Sequence, residues 1–266
     1  MPIKGKSASN PIESRWFARS ERCRELVRLF PASEQILSFY AKVLDFQGKV
    51  AQQRDVTFRE SESFLTQAKP SHLQQTLREL LDLVATSGPE TLAARAKQLQ
   101  QSVSFDGFFD IDTVSKPYEH DDFFRRACSQ PWAEELQLQI TITSKRTPMR
   151  CSVCNGLPQL SILRPEGEGG ARWLQCSFCL REWLFRRLVC LWCGEEDKEK
   201  LPRYSAPELA HVALSACDTC KRYVKLIDMT KEGRAVPLVD EAAVAALDVW
   251  AAKNGYLKIV PNLLGF

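Results

Sequence analysis

Residues 151–220 read CSVCNGLPQLSILRPEGEGGARWLQCSFCLREWLFRRLVCLWCGEEDKEKLPRYSAPELAHVALSACDTC. Four Cys-x-x-Cys pairs stand in this stretch: Cys151/Cys154, Cys176/Cys179, Cys190/Cys193 and Cys217/Cys220. They hold eight of the chain's 10 cysteines, far more clustering than random placement would give. A two-residue spacer lets the backbone curl so that both sulfurs of a pair face one point. Four such thiolates suit a tetrahedral Zn²⁺ or Fe ion because sulfur is a soft ligand. Gly194 after Cys193 and Asn155 after Cys154 are residue types that tolerate the left-handed backbone such a loop needs.

Eight thiolates make two four-cysteine sites. The first two pairs are separated by 21 residues and the last two by 23, and the first half maps onto the second at offsets of 39 and 41. This reads as an internal repeat of knuckle, β-hairpin, knuckle and strand. Cys151, Cys154, Cys176 and Cys179 are therefore assigned to one ion, and Cys190, Cys193, Cys217 and Cys220 to another; crossed pairing is the alternative. Between the knuckles, Gln159–Arg164 reads as a strand that Pro165 ends, since proline donates no ladder hydrogen bond. A turn over Pro165–Gly170 leads to a return strand, Ala171–Gln175. Glu182–Val189, Arg203–Ser205, His211–Ala216 and Arg222–Asp228 are further strand candidates. Each ribbon of about 40 residues is too small to fold on its own core, so bound metal would supply folding free energy as well as any function.

Upstream the pattern changes. Ser33–Arg54 places Ile36, Tyr40, Val43, Leu44, Gln47, Val50 and Ala51 on one helical face, with Gln47 its only polar member. Ser71–Val84 repeats the pattern through Leu73, Leu77, Leu80, Leu81 and Val84, with Ser71 as N-cap after Pro70 and TSGP (86–89) as the stop. Pro89–Gln101 begins another helix, Phe105–Tyr118 reads as irregular, and His120–Cys128 and Trp132–Gln139 read as two helices broken at Pro131. Downstream, Asp240–Lys253 predicts one amphipathic helix with Asp240 as N-cap and Gly255 as terminator, and the apolar tail Ile259–Phe266 should pack on the body. The fold class expected is α+β. An all-α N-terminal region (1–148) precedes two tandem zinc-ribbon modules (149–189 and 190–235), then a C-terminal helix and tail (236–266).

The rest of the sequence mainly excludes. Forty-four per cent apolar and 26% charged residues in a chain of 266 are globular values, which argue against disorder or a rod. No stretch approaches the roughly 18 apolar residues of a membrane span, and the polar N-terminus MPIKGKSASN has no secretory apolar region, so a reducing cytoplasm is expected and with it free thiols. The net charge of +3 does not mark a polyanion binder. No phosphate-loop, dinucleotide or zinc-protease motif occurs, and no catalytic residue is assigned. Cys23 and Cys128 read as buried thiols. His72, His120 and His211 read as surface or capping residues. Arg181, Arg186, Arg187, Lys221, Arg222 and Lys225 could meet phosphate, although a solvated face is the simpler reading.

At these residues the chain resembles the FdhE family, accessory proteins for the formation of active formate dehydrogenase. The resemblance rests on CSVC (151–154), RWLQCSFCLREW (172–183), VCLWCG (189–194), ACDTCKRYVKLID (216–228), VPLVDEAAVAALDVWAAKNGY (236–256) and, upstream, FFRRACSQPWAEEL (123–136). Ser152 and Asn155 stand where the family's first knuckle usually has proline and glycine. The tail, Val260-Pro261-Asn262, differs from the family's Asn-Pro-Phe type. The resemblance implies a cytoplasmic protein with a helical N-terminal domain and two rubredoxin-like modules, often carrying iron, with zinc as the other candidate. It also implies a partner, the molybdenum- or tungsten-containing catalytic subunit of a respiratory formate dehydrogenase, met before export. A homodimer is compatible with it; membrane insertion is not expected. On this reading the protein is a maturation factor and not an enzyme. The alternatives are a zinc-ribbon nucleic-acid- or ribosome-associated binder and a dithiol oxidoreductase.

Overall fold

The computed structural model describes residues 11–53, 57–59, 62–67, 72–102, 105, 108–109, 121–142, 148–167 and 169–266. Helices fill the first part: α1 (Pro11–Leu29), α2 (Glu34–Gln52), the single turn α3 (Phe64–Gln67), α4 (Leu73–Ser87), α5 (Glu90–Gln100) and α6 (Asp122–Leu138). α1 packs on α2, α4 on α5, and α6 on both α2 and α4. α2 lies at the centre and is buried on more than the expected stripe, Leu37, Phe39 and Phe46 included. The leucines of α4 enter the same core. Ser71 and Pro70 lie outside the described residues, as do His120 and most of Phe105–Tyr118. His72 occupies the N-cap position of α4 without a side-chain capping bond.

The expected break at Pro131 does not occur, because α6 runs through it. Proline at this position deprives the Ala127 carbonyl of its helical donor. The buried Gln47 supplies the replacement: its Nε2 donates to Ala127 O at 3.1 Å and to Gln130 Oε1 at 3.3 Å. The polar residue in the α2 stripe is thus the partner of the proline in α6.

Seven strands follow: β1 (Pro158–Glu166), β2 (Gly169–Cys176), β3 (Glu182–Phe185), β4 (Arg203–Ser205), β5 (Val212–Cys217), β6 (Arg222–Asp228) and β7 (Leu257–Lys258). They make one sheet in the order β3-β2-β1-β6-β5-β4, with β7 also paired to β6. Each half of the repeat is a three-stranded antiparallel meander. The halves fuse where β1 meets β6 in parallel, Leu160 opposite Lys225 through Leu163 opposite Asp228. Pro165 lies inside β1, opposite Gly170, rather than ending it. The β6 pairing has stopped at Leu163 by then, so that side of β1 is a free edge and no donor is missed.

The C-terminal helix is also corrected, since it is two helices, α7 (Pro237–Ala243) and α8 (Ala245–Lys253), parted at Val244. A fully buried lysine separates them. Lys225 Nζ donates to the carbonyls of Glu241 (2.7 Å) and Val244 (3.1 Å), which a continuous helix would use itself, and pairs with Asp248 of α8. Asp240 is no N-cap; it sits fully buried inside α7. It accepts two bonds from Arg22 of α1 (2.7 and 3.0 Å) and one from His211 Nε2 (2.7 Å), tying helices to sheet. His211 is therefore an interior residue, contrary to its surface reading. Gly255 does terminate α8, at φ +78°, and Ile259, Val260 and Leu263 of the tail are buried. Among the described residues, no helix is long and apolar enough to cross a membrane.

Candidate metal centres

Each knuckle is built by the same local device. The residue after the second cysteine has positive φ in all four: Asn155 (59°), Leu180 (57°), Gly194 (79°) and Lys221 (53°). Asn155 and Gly194 were legible from their type. Leu180 and Lys221 were not, because only the closed loop forces a branched or long side chain into that region. The turns close through backbone bonds, Asn155 N to Cys151 O at 2.9 Å and Gly194 N to Cys190 O at 3.1 Å. Amides inside the loops aim at sulfur: Val153 N at Cys151 Sγ (3.5 Å), Phe178 N at Cys176 Sγ (3.4 Å) and Trp192 N at Cys190 Sγ (3.4 Å).

The structure brings the eight cysteines together as two foursomes, Cys151/Cys154/Cys176/Cys179 and Cys190/Cys193/Cys217/Cys220, each with all sulfurs within 4.8 Å of one another. In the first, Cys154 lies 3.3 Å from Cys176 and 3.5 Å from Cys179, and Cys151 lies 3.6 Å from Cys179. In the second, Cys190–Cys220 is 3.7 Å and Cys193–Cys217 is 3.6 Å. A tetrahedron with metal–sulfur bonds of about 2.3 Å has edges of about 3.8 Å, so both cages fit a single ion. The pairing is not crossed, and no disulfide joins any of the eight.

The acidities show what the cages lack on their own. Bonds from Cys154, Cys176 and Cys179 drive the Cys151 thiol far down, while burial, with the neighbouring thiols behind it, drives Cys176 and Cys179 up. In the second cage burial raises Cys190 and Cys220; Cys217 is lowered, burial being outweighed by backbone and thiol donors. Several thiolates at such distances repel one another, and a cation at the centre removes the conflict. Gly156 is a second element not foreseen. A β-carbon there would stand 2.9 Å from Cys176 Sγ and 3.2 Å from Cys154 Sγ.

The two cages differ in cover. Ala133 and Leu136 of α6, Phe64 of α3 and Phe178 enclose the first, whose four cysteines are all buried. Arg181 pins it to the end of α6 by donating to the carbonyls of Gln137 (3.3 Å) and Ile140 (3.1 Å). Trp183 Nε1 donates to Pro148 O at 2.8 Å. In the second, Cys193 is exposed and Cys220 half-buried.

The remaining singled-out residues have other work. Of the six basic residues, Arg181 and Lys225 are held as above. Arg186 pairs with Glu196 (2.7 Å) and Lys221 with Asp218 (2.6 Å), and Arg222 lies 3.9 Å over the Trp192 ring. Cys23 and Cys128 are buried thiols as expected, Cys23 pushed up to about 12 by burial.

The family model described as "FdhE, central domain" matches residues 150–187, and "FdhE, C-terminal domain" matches 189–264. Each match spans one of the two cages. A protein FdhE homolog of Aquifex aeolicus is 29% identical across 89% of this chain and 90% of that relative. Protein FdhE of Escherichia coli is 28% identical across 90% of this chain and 84% of its own. The crystal structure of the FdhE protein from Pseudomonas aeruginosa shares the fold at a TM-score of 0.72, with 22% identity, over 95% of this chain and 96% of that one. Around the two four-cysteine cages the chain thus matches, in order, the central and C-terminal domains of FdhE, and it is similar to FdhE proteins along nearly its whole length.

Proposed function

We propose that this protein is a non-enzymatic maturation factor for a respiratory formate dehydrogenase. It acts in the cytoplasm, where it docks the immature catalytic subunit before export. Eight cysteines hold two metal ions: Cys151, Cys154, Cys176 and Cys179 one, and Cys190, Cys193, Cys217 and Cys220 the other. The observation that carries the reading is the pair of four-sulfur cages inside the two matched FdhE domains. Iron is the ion favoured by the family resemblance, with zinc as its competitor in the same donor set. Bound iron would supply a one-electron couple and bound zinc only a cross-link. The protein's own part is to hold the sulfurs convergent, and in the first cage to shield them from water.

The division used for this reading is a helical domain over 1–148, cage modules over 149–189 and 190–235, and a helix and tail over 236–266. The helical domain and the sheet supply the docking surface.

The test uses the full chain as bait, purified without oxygen from cells making the dehydrogenase. Expected are the catalytic subunit in the eluate and two metal ions per bait chain in the same sample. Recovery without the subunit would refute the maturation role. A metal count of zero or one would refute the two-ion assignment. A colourless preparation holding only zinc would remove electron transfer from the reading.

A further inference from the structure

A small pocket of about 40 Å³ lies between the sheet and the loop that links the two modules. Four arginines line it: Arg172 of β2, Arg187 of the loop, Arg203 of β4 and Arg222 of β6. The register explains why they meet. Arg203 stands opposite Ser215, and Ser215 opposite Val224, so β4, β5 and β6 present one row of side chains to this face. Arg222 is two residues before Val224 and shares its face. Lys225 and Tyr223 alternate to the other face and meet α8 through Asp248.

None of the four guanidinium groups has a carboxylate partner among the described residues; the neighbours that oppose their charge are Cys190 and the Phe185 ring at Arg172, and the Trp192 ring at Arg222. Arg172 is only 5% exposed, yet it has no carboxylate partner among the described residues. Its Nε donates to Ser161 Oγ at 2.8 Å, and its Nη1 to the carbonyls of Arg186, Arg187 and Val189, the last at 2.9 Å. Its Nη2 makes no hydrogen bond among those residues. Arg187 and Arg203 are exposed, and their side chains make no hydrogen bond or ion pair among them, the Arg187 carbonyl being the acceptor for Arg172. Arg222 is stacked on Trp192 rather than paired. Elsewhere in the molecule buried arginines meet acids, Arg19 with Glu134, Arg22 with Asp240 and Arg126 with Asp122. The nearby acids are taken: Glu196 by Arg186, Asp218 by Lys221 and Tyr256. A buried guanidinium is costly without an anion: burial and the nearby Arg203 both disfavour the charge on Arg172, and Cys190 of the second cage is the group that opposes them.

We propose that this pocket is a binding site for a tetrahedral oxyanion, inorganic phosphate or the phosphate group of a small molecule, held by Arg172, Arg187, Arg203 and Arg222. The four arginines reach the pocket from three strands and a loop, and a tetrahedral anion, with oxygens directed to four corners, can accept from donors that arrive on several sides. A planar carboxylate would need only one two-toothed arginine. Cys190 and Cys217 share the pocket wall, so the competing role for the arginines is to balance the charge of a filled second cage.

The experiment titrates the metal-loaded full chain with phosphate at constant ionic strength, chloride balancing, and reads heat and phosphorus line width. One saturable phosphate per chain is expected. Arg187→Gln and Arg203→Gln, both at exposed positions, should each weaken it about tenfold or more, as expected for one charge-assisted contact. Arg172→Gln should abolish it, with metal content and thermal melting recorded because Arg172 also holds the loop. A nucleoside monophosphate run alongside separates the sources. Tighter binding than phosphate marks a phosphorylated ligand and equal binding marks the free ion, and either ranking supports the site. Absence of saturable binding, unchanged affinity in both glutamine variants, or equal competition by acetate would each overturn it. So would variants that change only metal retention.

Discussion

The first and second cages share their knuckle geometry and differ in everything around it. Both use Cys-x-x-Cys loops closed by a residue of positive φ. The first lies under α6 with all four cysteines buried, whereas the second has one exposed and one half-buried cysteine. The local sequence therefore sets how sulfur is presented, and the neighbouring helices set how far a site is open to water, chelator and proton. Identical donor sets can thus differ in lability within one chain.

The sharpest way to break this comparison is to remove one ligand from each cage. Cys176→Ser should leave little soluble protein, since the first cage is part of the packing between α6 and the sheet and a structural metal site carries on the order of 10 kcal/mol of folding free energy. Cys217→Ser should yield folded protein with one metal ion instead of two. Elemental analysis and circular dichroism of both variants check this, and equal loss of fold would mean that cover does not matter. Gly156→Ala should resemble Cys176→Ser, because its new methyl group meets Cys176 Sγ at 2.9 Å.

Next in size is the tie between helices and sheet. Asp240→Asn strands Arg22 and His211 without their carboxylate and should cost about 3–5 kcal/mol near neutral pH. Despite burial, bonds from His211 and Arg22 hold the Asp240 carboxyl below its ordinary value. Its folded pKa lies below the unfolded value of about 3.9, so its contribution is full above that pH and is lost as pH falls through the folded value. Denaturant melts at pH 7 and near pH 3 should show the variant's deficit shrinking at the acid end. A deficit that stays constant would deny the linkage.

A chelator should separate the cages in time. Metal release from the second should precede release from the first by at least about tenfold in rate, roughly 1.4 kcal/mol in barrier. A coloured indicator would record two phases of one ion each, and a single phase of two ions would erase the distinction.

The smallest effect is expected at Gly194. Its φ of +79° lies where a β-carbon meets nothing within 4 Å, so Gly194→Ala should cost only about 1–2 kcal/mol of backbone strain and keep two ions bound. Set beside Gly156→Ala, it compares an open knuckle with a covered one.

Much of this architecture was readable one segment at a time. The helical faces of α2 and α4, the strand Arg203–Ser205, the strand Arg222–Asp228, the stop at Gly255 and the grouping of the eight cysteines depend on period, spacing and residue type, which are local properties. The misreadings share one cause. Pro131 looks like a helix breaker until Gln47 arrives from α2. Pro165 looks like a strand end until its edge position is known. Asp240–Lys253 looks like one helix until Lys225 takes its carbonyls.

The amino-acid order by itself determined which segments curl into two-cysteine knuckles, because that is settled within a few residues of backbone, and it favoured the uncrossed grouping of knuckles that the structure then decided. Tertiary structure alone decided that the repeats join through β1 and β6, that one cage is covered and the other open, and that four arginines share a pocket. Each of these depends on groups far apart in the chain, and burial and the crowding of like charges exist only once those groups are brought together.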